Sequence, residues 1–386
     1  MKSGHIQFWE YETIANNILK GAGYGYEYLG ILHRAFGPPL YSFLCAFIYY
    51  FSNHSYAILL IFQVFLSAMT CVLIFYIANK IFNQKIAILA AILTCIHPGM
   101  IIYSAKLHPL TIDIFLFTLA ILVLLRAKGE MRARYFILFG IISGICFLSR
   151  STFAIYIPIV FIYLWVLSKD KRKIAFYAGL SVLAMLLVIG PWTIRNYRVL
   201  EKLIFVQKSG EVFWRGNNIN ATGTAYTNGG RPMVESISLE FREKIYSYNE
   251  IKQDELFWSE GLKFIKEQPF DFVLLTMKKF YYFWWFSPQS GIEYHKSYLL
   301  FYKAVYSFIV LFTIFGIFFA LGSNVNSIKE NTWLLLLFFL SISLSQSLFY
   351  VEGRHRWAIE PLILTLTANG LIQIKYNLRQ CLKIKI

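Results

Sequence analysis

The feature that most constrains this chain is a succession of long apolar segments separated by short loops rich in lysine and arginine. A helix needs roughly 20 mostly apolar residues to cross a bilayer. Segments that reach or approach that length run near 56–79, 86–104, 109–125, 135–149, 152–168, 174–191, 298–322, 332–351 and 357–375, nine in all. A tenth apolar stretch, Leu40 to Phe51, is too short to cross and is expected to lie in the interface or to re-enter. The predicted class is an all-α, polytopic membrane bundle with extracytoplasmic loops.

Composition agrees. Charged residues make up 15% of the chain and apolar ones 57%, against about 25% charged in a typical soluble protein. Soluble, disordered, collagen-like and disulfide-knit secreted classes are thereby excluded. The five cysteines (Cys45, Cys71, Cys95, Cys146 and Cys381) lack metal-ligand spacing. His97, His108 and His355 are scattered, and neither a phosphate-cradling GxxxxGK[ST] nor a GxSxG elbow occurs. No metal and no cofactor is expected.

Lysine and arginine collect in cytoplasmic loops of membrane proteins. The 126–134 loop (Arg126, Lys128, Arg132, Arg134), the 169–173 loop (Lys169, Lys171, Arg172, Lys173), Lys80, Lys85, Lys329 and the C-terminal tail fall on one side if nine spans alternate. That side is taken as cytoplasmic. The net charge of +16 is then mostly topology, and nucleic acid is not an expected partner. Four regions follow: a first external loop with amphipathic and re-entrant helices (1–55), transmembrane helices (56–191), a large external loop with interfacial helices (192–297), and C-terminal spans with a cytoplasmic tail (298–386). The expected location is the plasma or inner membrane, with the C-terminus cytoplasmic. Residues 1–55 carry no export signal, so a further N-terminal spanning helix is expected ahead of them.

Cations on the opposite side break the pattern. Lys106, Arg150, Arg195, Arg354 and Arg356 stand at or beside outer helix ends. Ionisable groups at the membrane edge are costly and tend to be functional. Taken together they suit a phosphate, for which arginine offers a two-pronged fork. Snorkelling to ordinary lipid headgroups is the competing reading of each one alone. Among carboxylates, Glu10 and Glu12 lie on an amphipathic external helix, and Asp113 lies one turn into the span beginning at Pro109. Asp113 is expected to meet Lys106 or a hydrogen-bond donor inside the bundle, and Glu360 to pair with Arg356 four residues earlier.

These residues occur in segments that resemble one family. Glu10–Tyr24 (EYETIANNILKGAGY), Gly37–Phe51 (GPPLYSFLCAFIYYF), Ile96–Pro109, Leu148–Thr152 (LSRST), Gly190–Arg198 (GPWTIRNYR), Ser209–Gly223 and Arg354–Pro361 (RHRWAIEP) follow one another in an order similar to that of the GT-C membrane glycosyltransferases. The branch resembled holds the protein O-mannosyltransferases and the lipid A aminoarabinose and galacturonic acid transferases. The resemblance implies inverting transfer of a sugar from a polyprenyl-phosphate donor to a glycan, lipid or protein acceptor on the external face. Lys106, Arg150, Arg195, Arg354 and Arg356 would bind the donor phosphate. Where the family commonly has an aspartate four residues before its first-loop tyrosine, this chain has Gln7 before Tyr11, and Leu110 replaces an acidic residue after Pro109. Glu10 and Asp113 are therefore the candidate catalytic carboxylates. Rival readings are a lipid-linked sugar carrier or flippase, and an inactive relative. Paired halves, which many transporters show, are not found.

Overall fold

A computed structural model describes residues 10–205, 208–288 and 296–384. Gln7, with the rest of residues 1–9, and Ile386 lie outside the described residues. The described chain is mostly helical. The N-terminal region consists of α1 (Glu10–Leu19), a ribbon of β1 (Tyr26–Tyr28) antiparallel to β2 (Ile31–His33), and α2 (Leu40–Ser52). Helix α1 buries Ile14 and Ala15, and Tyr11 meets the edge of the Tyr41 ring on α2 with centroids 5.3 Å apart. The ribbon is not foreseen by the sequence reading. Its turn residues Leu29 and Gly30 both have positive φ (47° and 81°), the geometry that matches strand twist in a two-residue hairpin.

The first bundle contains α3 (Tyr56–Ile81), α4 (Gln84–Cys95), α5 (Pro98–Ser104), α6 (Leu110–Glu130), α7 (Ala133–Ser149), a 3-10 turn (Ser151–Ile155), α8 (Tyr156–Leu167) and α9 (Lys171–Leu200). A region of shorter helices follows with α10 (Ser209–Gly216), a second 3-10 turn (Met233–Ser236), α11 (Leu239–Tyr246), α12 (Glu250–Glu267) and α13 (Pro269–Trp284). The chain then returns through α14 (Lys296–Leu321), α15 (Asn326–Ser347), the short α16 (Gly353–Trp357) and α17 (Glu360–Ile384).

Five of these helices, α3, α6, α9, α14 and α15, are long and apolar enough to cross a membrane, and α4 with α5 makes a sixth if that pair, bent by 51°, is one span. The difference from the nine expected segments has local causes. Helix α7 and the 151–167 pair are shorter apolar helices. Helix α17 is long, but Glu360, Asn369 and Gln373 dilute its apolar character. Pro98 starts α5, and a proline at a first helical position loses no hydrogen bond. Helix α9 passes residue 191, with Pro191 inside it, and ends at Leu200.

Helix α6 is the buried centre, with side chains from Leu110 through Ala127 mostly enclosed. Close packing elsewhere depends on small residues, as is common between membrane helices. A Cβ on Gly316 of α14 would collide with the Leu366 carbonyl of α17, and one on Gly370 with the Phe312 carbonyl. Asn369 donates to the Gly316 carbonyl at that contact (2.9 Å). Helices α7 and α9 meet likewise, where Ser181 donates to the Phe136 carbonyl at 2.7 Å.

A candidate anion site at the helix ends

Asp113 lies in the first turn of α6 and is fully buried. Ser149, the last residue of α7, donates its hydroxyl to Asp113 Oδ1 at 2.5 Å. Arg150, the next residue, donates Nε to Oδ2 at 2.8 Å. Of the two expected partners, Lys106 or a hydrogen-bond donor inside the bundle, the carboxylate takes the second, and its ion pair is with Arg150 rather than Lys106. Lys106 is exposed instead, its amine 5.5 Å from the centre of the Tyr103 ring. The Lys106 carbonyl anchors that turn by accepting a hydrogen bond from Gln63 (2.8 Å).

Helix α16 supplies the second arginine. Glu352 caps it, and His355 Nδ1 accepts the Glu352 backbone N–H at 3.2 Å, a reciprocal capping box. Arg354 donates Nε to Glu352 at 2.8 Å while its side chain stays 25% exposed. Arg356, two residues on, is enclosed: its side chain is 1% exposed and pairs with Glu360 at 2.5 Å. It also donates to the Phe283 carbonyl (3.2 Å) and the Tyr302 hydroxyl (3.3 Å), and it lies 3.6 Å from the Tyr306 ring centre. Glu360 meets His97 at 2.5 Å on its other oxygen. The pairing of Glu360 with Arg356 read from their spacing is thus present, and it leaves Arg356 no free fork.

Electrostatics show which groups share a space. Burial raises the Tyr11 hydroxyl well above its ordinary range; Glu10 and Asp113 push the same way, and Arg354 and Arg150 oppose them. Burial holds the His108 imidazole well below its ordinary range, assisted by Arg354, Arg150 and Lys106. His355 is lowered by burial, then by Arg150, Arg354 and His108. The electrostatics thus link Glu10, Tyr11, Asp113, Arg150 and Arg354, from α1, α6, α7 and α16, and the same two arginines act on His108 and His355. Glu12 is turned elsewhere, accepting the Tyr49 hydroxyl at 2.9 Å.

Arg195, on α9, occupies a flank. It donates to the Tyr24 carbonyl (3.2 Å), to Asn196 Oδ1 (3.0 Å) and to the Arg34 carbonyl. Its guanidinium lies 5.2 Å from the Trp192 ring centre. Arg195 therefore fastens both ends of the ribbon to the bundle, and the Tyr24 hydroxyl feels both Glu10 and Arg195. Among the described residues, no group of three or more His, Cys, Asp or Glu could hold a metal ion.

Residues 37–194 match the family of dolichyl-phosphate-mannose-protein mannosyltransferases. The whole architecture is similar to the archaeal oligosaccharyltransferase AglB from Archaeoglobus fulgidus, solved with an inhibitory peptide and a dolichol-phosphate. That match has a TM-score of 0.57 at 13% identity and covers 98% of this chain and 48% of that one. The Archaeoglobus fulgidus oligosaccharyltransferase tethered to an acceptor peptide with an NVT sequon matches with a TM-score of 0.59, also at 13% identity, over 97% of this chain and 46% of that one. The chain has the fold of the GT-C membrane glycosyltransferases. It spans about half the length of the solved GT-C structures it matches. No curated protein sequence matches it. Within this GT-C fold the family match contains Lys106, Asp113 and Arg150, whereas Glu10, Arg195 and Arg354 lie outside it. Sequence reasoning passed over Tyr11 as a site residue, Ser149, and the two histidines as hydrogen-bonding groups. The only available signal was adjacency, since Ser149 precedes Arg150 and His355 follows Arg354.

Proposed function

We propose that the chain transfers a sugar from a polyprenyl-phosphate donor to an acceptor hydroxyl or amide at the external face, with inversion. The observation that carries this reading is the convergence of Arg150 and Arg354 about Tyr11, each with one guanidinium nitrogen on a carboxylate and the rest of its fork uncommitted among the described residues. Partly open guanidiniums at a helix-end cluster provide charge where a leaving phosphate gains it, the arrangement that stabilises an anion as it develops. The family match and the dolichol-phosphate held by the structurally similar AglB support a lipid-linked donor.

In this mechanism Arg150, Arg354 and Lys106 bind the donor phosphate. The acceptor atom attacks the anomeric carbon from the face opposite the phosphate. The carbon–oxygen bond to phosphate breaks, and its electron pair leaves with the polyprenyl phosphate. Glu10, first on α1 and close to Tyr11, takes the proton released by the acceptor. Asp113, with both oxygens engaged, orients Arg150. Arg195 positions the ribbon beside the site, and the buried Arg356–Glu360 pair holds the end of α16. The four regions read from the sequence, nine crossings, a plasma or inner membrane location and a cytoplasmic C-terminus belong to the same proposal. Tags after Lys128 and Asp170 should then report cytoplasmic and one within residues 216–232 external.

The deciding experiment incubates the purified protein with a panel of polyprenyl-phosphate sugars and candidate acceptors. Release of polyprenyl phosphate together with sugar on an acceptor is expected. Tight binding of the intact donor without release across the panel would replace this reading with the carrier one.

A further inference from the structure

We propose that His355 binds the lipid-borne phosphate through a neutral Nε2–H set beside Arg150 and Arg354; this rests on the phosphate site just proposed. The geometry comes from α16. His355 Nδ1 accepts the Glu352 backbone N–H, so that nitrogen presents a lone pair and carries no proton. A neutral imidazole has one N–H, which must then be on Nε2. His355 is 7% exposed, and its Nε2 makes no hydrogen bond among the described residues.

The groups around the ring fix its charge. Arg354 comes from α16 itself, Arg150 from the end of α7, His108 from the 105–109 turn, and Tyr350 and Glu352 from the preceding segment. The two guanidiniums and burial all disfavour an imidazolium, so the ring has no acidic proton to offer at neutral pH. Its lone pair is already spent on the backbone. A directional hydrogen-bond donor is what remains, and a donor needs an acceptor such as a phosphate oxygen. A third buried cation here would add repulsion to Arg150 and Arg354, whereas a neutral donor adds direction alone. His108 Nδ1 likewise accepts a backbone N–H, that of Leu110, at 3.1 Å.

Capping α16 is the competing role, and two substitutions separate the two. His355→Asn keeps an acceptor near the Nδ1 position and removes the Nε2 donor. His355→Gln places an amide N–H near the Nε2 position and removes the cap. Binding of polyprenyl monophosphate and of inorganic phosphate to the purified protein is measured by 31P NMR. His355→Asn should weaken polyprenyl-phosphate binding about tenfold, the scale of a lost hydrogen bond to a charged group, while thermal stability stays near the parent. His355→Gln should bind within about threefold of the parent and unfold earlier, from loss of the capping bond.

Parent-like binding by His355→Asn overturns the inference. If Arg354→Ala also binds like the parent, the phosphate site itself fails. If Arg354→Ala loses binding and His355→Asn does not, only the histidine role falls. Binding of inorganic phosphate without binding of the polyprenyl form overturns the lipid-borne ligand. Should either histidine variant not fold, 15N NMR of the histidine-labelled parent decides. A pyridine-like Nδ1 and an Nε2–H that moves on adding polyprenyl phosphate are expected, and a protonated Nδ1 or an unmoved Nε2–H overturns the proposal.

Discussion

Arg356 and Arg354 stand two residues apart on one short helix, and each has a carboxylate partner, yet they are opposite kinds of arginine. Arg356 spends its fork on Glu360, the Phe283 carbonyl and Tyr302, and its face lies on Tyr306. Arg354 spends one nitrogen on Glu352 and keeps a quarter of its side chain open. Arg150 follows the second pattern, with one nitrogen on buried Asp113 and 16% of its side chain open. A buried, fully bonded arginine is a structural tie, whereas a half-bonded arginine held by a carboxylate is preorganised for a ligand. By sequence position alone the three are indistinguishable, each an arginine at a helix end.

The largest expected effect breaks the closed pair. Removing one partner of a buried ion pair leaves an uncompensated charge and costs about 3–5 kcal/mol. Glu360→Ala should strand Arg356 and also free His97. Thermal unfolding in detergent is expected to show that loss, whereas Arg354→Ala should shift stability by under about 1 kcal/mol, as for a partly exposed pair. Equal losses in the two variants would erase the distinction.

Function should reverse the ranking. Arg354→Ala is expected to lower the transfer rate by about 10²–10³, the scale for removing one donor to a developing anion. Arg354→Lys should recover part of it, since a point charge replaces a planar fork. Lys329→Ala, far along the chain in α15, should leave the rate unchanged. If all three behaved alike, general charge rather than geometry would be at work.

How far the sequence carried is visible in the same residues. The helical class and the Glu360–Arg356 pair followed from hydropathy and from helical spacing, both local properties. The partner of Asp113 did not. Lys106 is seven residues away and Arg150 is thirty-seven, and only the packing of α6 on α7 decides between them. The ribbon at residues 26–33 escaped notice because each strand has only three residues, too few for an alternating pattern. His97, His108 and His355 were weighed only as metal ligands, for which spacing is the signal. Their roles here come from backbone N–H groups and a buried glutamate that no spacing rule addresses.

An intermediate effect tests the carboxylate beneath the open fork. Asp113→Asn keeps the shape and the bond from Ser149 but removes the charge facing Arg150. Loss of a hydrogen bond to a charged group is worth about 1.5–3 kcal/mol, so transfer should fall about ten- to a hundredfold. A positioning role further requires that the donor KM rise along with any fall in kcat, and that the pH profile keep its shape. Glu10→Gln should instead abolish the ascending, base-dependent limb of that profile. A changed limb in Asp113→Asn with an intact one in Glu10→Gln would exchange the two roles.

The smallest effect concerns a closed cation with no carboxylate partner among the described residues. Lys279, on α13, is fully buried and donates to the Gly216 carbonyl at 3.1 Å and to Asn217 Oδ1 at 2.8 Å, where α10 ends. Neutral acceptors balance the amine only in part, and burial lowers it from 10.5 to about 7. The folded chain therefore releases this proton at a pH where the unfolded chain still holds it. Between pH 7 and about 10.5 the unfolded state binds more protons, so stability contributed by this site rises with pH across that window. Below pH 7 the amine is charged in both states and the contribution is at its least favourable and flat. Thermal unfolding of the parent should thus shift upward by a few degrees from pH 7 to pH 9, and Lys279→Met should remove that slope. Arg356 and Arg354 stay charged throughout this range, so neither can generate the slope in their place. A Met variant with the parent's pH dependence would show that the amine is compensated as fully as Arg356, and that a carboxylate is not what separates the closed cations from the open ones.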